Sequence, residues 1–88
     1  MKRIRLVLAD DHPIVLDGLE QLFATEPDLE VVARVTSAEG ALRALEEFRP
    51  DVLVLDLAMP GQDGLWVMEQ AGARKLLRSV ETNGGKFI

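Results

Sequence analysis

Strand-like and helix-like patterns alternate along most of this chain, with only short connections between them, and that alternation narrows the fold more than any other feature. IRLVLAD (residues 4–10) is an apolar run of strand length that closes on acids. Pro13 then suits a first helical position, and Ile14, Val15, Leu16, Leu19, Leu22 and Phe23 recur at helical spacing, predicting an amphipathic helix that ends near Thr25, before Pro27. LEVVARV (29–35) reads as a second strand. TSAEGALRALEEF (36–48) opens on Thr36 or Ser37 as helix cap, with Thr36 and Glu39 at capping-box spacing. Ala41, Leu42, Leu45 and Phe48 form its buried stripe, and Pro50 stops it. DVLVLD (51–56) is a third strand, continuous in its apolar character as a strand covered on both faces should be.

Strands and helices that alternate in this way pair in parallel through right-handed crossovers. The expected fold class is therefore α/β, a flavodoxin-like doubly wound parallel sheet with strand order 2-1-3 in its recognisable part. In such sheets a ligand sits beyond the carboxyl ends of the strands where their order reverses, here between strands one and three. Asp10 and Asp11 end the first strand and Asp56 ends the third. Three carboxylates brought to one sheet edge repel each other unless a cation intervenes. Hard oxygen ligands with no His or Cys select Mg²⁺ or a similar ion, which keeps several waters and so leaves positions for phosphoryl oxygens. A carboxylate beside such an ion is a plausible nucleophile toward a phosphoryl donor, giving an acyl phosphate.

The rest of the sequence limits the alternatives. At 88 residues the chain is one domain at most, and a chain of this length buries only about 60–65% of its unfolded surface. Cysteine is absent, which excludes disulfides, thiolate nucleophiles and Cys-based zinc sites. No apolar run approaches the roughly 20 residues of a membrane span, and the start MKRIRLVLADDH reaches acid too early for a secretory signal, so the expected location is the cytoplasm. From Leu6 to Glu69 there are 14 acids against three bases (Arg34, Arg43, Arg49), a balance that argues against nucleic-acid binding. The basic residues near the end (Arg74, Lys75, Arg78, Lys86) read as a solvated face.

The pairing of LADDH after strand one with VLDLAMPGQDG after strand three resembles the receiver domain of bacterial two-component response regulators. DDHPIVLDGLEQLF is most similar to the LuxR-type branch, whose receivers precede a helix-turn-helix output domain, and the resemblance runs from Ile4 to about Met68. It implies that Asp56 is the phosphoacceptor, that Asp11 is the main metal-ligating acid with Asp10 in support, and that the backbone carbonyl of Ala58 completes the protein's share of a Mg²⁺ shell. Met59, Pro60 and Gly64 match the family's loop. The implied partner is a sensor histidine kinase, in a phosphorelay where this domain is an acceptor and not a turnover enzyme. His12 reads as a packing or capping residue, Trp66 as partly buried packing and Asp63 as a helix cap.

The resemblance stops short of a complete receiver, which has five strand-helix units, a Thr or Ser after strand four and a Lys after strand five. Neither of those strands is evident. Residues 1–70 match well, whereas 71–88 read as a remnant: AGAR resembles the stretch before the fifth strand, and KLLRSVETNGGKFI the last helix and its exit. Seams are expected between Gln70 and Ala71 and after Arg74. Thr82 and Lys75 have the residue types of the switch pair but the wrong context for those roles. Either segments are missing at these seams, in which case strand three lacks its outer neighbour and has an open edge that a homodimer or strand exchange would relieve, or the tail forms a structure of its own. The alternative function is a degenerate receiver, acting as a phosphorylation-independent interaction or dimerisation module. A Mg²⁺-dependent phosphohydrolase is a third reading, weakened because Ala58 stands where a second acid would be needed.

Overall fold

Six strands and three helices follow one another in a computed structural model that describes residues 3–56, 64–74, 79–80, 82–83 and 86–87. In chain order these are β1 (Ile4–Ala9), α1 (Pro13–Ala24), β2 (Leu29–Val35), α2 (Ala38–Phe48), β3 (Val52–Leu55), α3 (Gly64–Ala73), β4 (Ser79–Val80), β5 (Thr82–Asn83) and β6 (Lys86–Phe87). The first four of the strands named in the main sheet stand in the order β2-β1-β3-β4, and β1 is parallel to both of its neighbours. The 2-1-3 order read from the sequence is present, with one strand added beyond it.

Alternation across the sheet separates two apolar layers. Val7 and Ala9 of β1 and Leu53 and Leu55 of β3 pack with Ala41, Leu42 and Leu45 of α2 and Val67 and Ala71 of α3. Leu8 and Val54 point the other way, onto Leu16 of α1, with Leu19, Phe23 and Val31 at the margin. β3 is thus covered on both faces, which is why its sequence shows no polar alternation. Trp66 is half-buried against the first layer, the packing role expected of it.

Three local expectations change. Of the six apolar residues of α1, Leu16 is buried and Leu19 and Phe23 are partly covered, whereas Ile14 is 84% and Leu22 60% exposed. α2 is capped by Ser37, whose Oγ accepts from the Gly40 N–H at 3.0 Å. With Ser37 in that position Glu39 lies one residue short of the capping-box place, so the Thr36–Glu39 pair is not the cap. His12 occupies the N-cap position of α1 through its backbone, but its side chain makes no capping hydrogen bond.

The end of the chain departs furthest from expectation. α3 runs unbroken through Gln70 and Ala71, where a seam was expected. The described residues of the supposed last helix are strand. Ser79 and Val80 pair in parallel with Val52 and Leu53, so β3 has an outer neighbour over its first half. Thr82 and Asn83 pair antiparallel with Phe87 and Lys86. A Gly-Gly dipeptide separates those two pairs in the sequence. Among the described residues no helix is long and apolar enough to cross a membrane.

Candidate functional site

The ladders that hold β1 between its neighbours continue one residue past its end, and this continuation builds the site. The Asp10 N–H donates to the Val35 carbonyl at 3.1 Å, and the Asp56 N–H donates to the Ala9 carbonyl at 2.9 Å. Asp10 and Asp56 are therefore fixed by backbone bonds to adjacent strands at the carboxyl end of the sheet, where strand order reverses. Asp11 follows as the chain turns toward α1. Their side chains are 15% (Asp10), 27% (Asp11) and 23% (Asp56) exposed, open enough for an incoming ligand but partly withdrawn from water.

His12 joins them. Its Nδ1 lies 2.9 Å from Asp10 Oδ1, 2.9 Å from Asp11 Oδ1 and 4.0 Å from Asp56 Oδ2. Carboxylate oxygens have no proton to give, so Nδ1 is the donor to Asp10. Asp10 Oδ1 also accepts the His12 backbone N–H at 2.9 Å. The hydrogen bond to Asp10, reinforced by the charge of Asp11 and more weakly by that of Asp56, raises the His12 pKa above its ordinary value. Sequence reasoning missed this residue as a member of the site. The available signal was its position, directly after the acid pair and directly before Pro13.

The donor set suits a metal ion. One ligand atom each from Asp10, Asp11, His12 and Asp56 lies within 4.8 Å of the others, a separation that ligands about 2.1–2.4 Å from a common hard cation span. Asp11 Oδ1 is buried and accepts no hydrogen bond, because the single Nδ1 proton is directed to Asp10. A buried acceptor without a donor is costly, and a cation satisfies it. Ala58, Met59, Pro60 and Asp63 lie outside the described residues, while Gly64 opens α3 where the sequence placed the start of that helix. Lys75 is also outside them. Thr82 is in β5, paired with β6 and not part of the main sheet.

The fold and its acidic switch point define a doubly wound α/β domain of the kind that takes a phosphoryl or metal ligand at the sheet edge. Residues 6–80 match the response regulator receiver domain, and the chain belongs to that family. It is 43% identical over 68 residues to the transcriptional regulatory protein YhcZ of Bacillus subtilis, covering 77% of this chain and 32% of that one. It is 35% identical to a LuxR-family two-component response regulator from an Aurantimonas species, whose crystal structure superposes with a TM-score of 0.79 over 88% of this chain and 56% of that one. The receiver domain of the putative response regulator NarL from Mycobacterium tuberculosis superposes with a TM-score of 0.85 at 29% identity, over 89% of this chain and 64% of that one. These relatives place the chain in the LuxR-type branch of phosphorelay receivers. It spans about a third of the length of the curated relatives it matches, such as YhcZ at 32%.

Proposed function

We propose that this chain is the phosphoacceptor module of a response regulator and that Asp56 takes a phosphoryl group from the phosphohistidine of a sensor histidine kinase. The observation that supports the reading best is the convergence of Asp10, Asp11 and Asp56 at the carboxyl ends of β1 and β3. In the transfer, an Asp56 carboxylate oxygen bonds to phosphorus as the phosphorus–nitrogen bond breaks, and the kinase imidazole leaves with that electron pair. Asp10, Asp11, Asp56 and the Ala58 carbonyl would hold Mg²⁺. When bound, that ion neutralises charge on the carboxylates and on the phosphoryl oxygens. Asp56 is held for attack by its own N–H bond to β1, so little ordering is needed before reaction. Asp10 is oriented by the two bonds it accepts from His12.

The chain acts as a stoichiometric acceptor and not a turnover enzyme. In a longer protein the phosphoryl group would bias a two-state surface that controls a linked DNA-binding output domain. The test is intact mass after incubation with acetyl phosphate and Mg²⁺, beside Asp56→Ala and a metal-free control. A phosphoryl adduct that requires both Asp56 and Mg²⁺ is expected. A folded chain that gains no adduct would instead be an interaction module derived from a receiver.

A further inference from the structure

His12 has a ring nitrogen among the acids and, among the described residues, its side chain has no place in a core layer or a helix cap. The ring is 65% exposed. Its backbone is nevertheless well fixed. The His12 carbonyl accepts from the Val15 and Leu16 N–H groups at 3.0 and 3.1 Å, and Pro13 restricts His12 to the extended region it occupies (φ −108°, ψ 105°). Nδ1 faces the three carboxylates from this anchored position and stands within ligand-to-ligand distance of each.

We propose that His12 is an imidazole ligand of this site, so that the domain binds a borderline divalent transition ion such as Co²⁺, Ni²⁺ or Zn²⁺ more tightly than its carboxylates alone would. The inference rests on the acidic cluster being a metal site, as proposed above. Imidazole suits these ions, whereas Mg²⁺ prefers oxygen and gains little from a nitrogen donor. His12 therefore widens the metal range of the site and sets its preference. Ligation replaces the Nδ1 proton that is donated to Asp10, and that proton is released to solvent as the ion binds; the exposed ring can swing aside when the ion is Mg²⁺.

The experiment is calorimetric titration of the tag-free 88-residue chain with Co²⁺ and, separately, with Mg²⁺, for wild type, His12→Ala and His12→Asn. His12→Asn keeps a good N-cap residue and guards against a folding defect, which circular dichroism checks. Loss of the ligand is expected to weaken Co²⁺ about tenfold or more in both variants, a usual cost of disturbing a metal's ligand shell. Mg²⁺ affinity should hold within about twofold, since that ion relies on oxygen. His12 is the sole histidine, so a contact-shifted imidazole N–H in the proton NMR spectrum of the Co²⁺ complex reports it alone. Equal losses for both ions, an unchanged Co²⁺ affinity or no shifted N–H overturns the proposal. If Mg²⁺ binds and phosphorylation proceeds, such a result removes the role of His12 only. If no ion binds wild type, the metal-dependent acceptor reading fails with it.

Discussion

Arg49 turns the backbone left-handed (φ 47°, ψ 60°) where α2 ends, a conformation that crowds any residue with a Cβ. Its N–H still closes the helix on the Leu45 carbonyl, and its own carbonyl accepts from Arg5, so the turn is needed but the side chain is not. Arg49→Gly should stabilise the chain by about 0.5–1 kcal/mol, raising the thermal midpoint by a few degrees. His12 makes stability depend on pH. Its pKa is raised in the folded state by the bond to Asp10 and by the charge of Asp11, so the folded chain holds the proton more tightly than the unfolded chain. The stabilisation is complete below the unfolded value of about 6.5 and is lost as pH rises through the higher folded value. In metal-free buffer the urea midpoint of wild type should fall across that window, and His12→Ala should flatten the fall. Asp10, Asp11 and Asp56 were legible as a site because each ends an apolar run. His12 was not, because the path of its ring depends on how Asp10 and Asp56 are set by separate ladders.

Among the helices, α2 has the clearest boundaries. Ser37 at its start and Arg49 with Pro50 at its end bracket a stripe that the structure buries, with Ala41 and Leu45 at 0% exposure. Removing the cap by Ser37→Ala should cost about 1 kcal/mol, read as a lower denaturation midpoint with an unchanged urea m-value. α1 was legible as a helix but not in its facing. Six apolar positions spread over more of the helix circumference than one sheet contact can cover, so the period could not show that Leu16, Leu19 and Phe23 turn inward while Ile14 and Leu22 turn out. β4 was not legible at all. Two residues carry too little pattern to announce a strand, and only the presence of β3 beside them gives Ser79 and Val80 a ladder to join.

For the molecule as a whole, β4 is what covers the outer edge of β3 at Val52 and Leu53. A chain ending at Arg74 would present that edge, so light scattering after size-exclusion chromatography should show its mass rising with concentration, while the 88-residue chain does so less. A shortened chain that stays monomeric at every concentration would show that β4 does not protect the edge. The first seam inferred from family resemblance leaves no break in the helix, since α3 is continuous through Gln70 and Ala71, and the second, after Arg74, lies outside the described residues. By itself the sequence determined the alternation of elements, the 2-1-3 core of the sheet, the caps of α2 within one residue and the acids at the switch point. Those features are written in near neighbours and short periods, where each residue's preference acts locally. Only the tertiary structure decided which side of α1 is covered, that Ser79 and Val80 extend the sheet, and that one imidazole nitrogen stands among three carboxylates. These depend on contacts between segments distant in the chain, and their energies exist only once the sheet has brought those segments together.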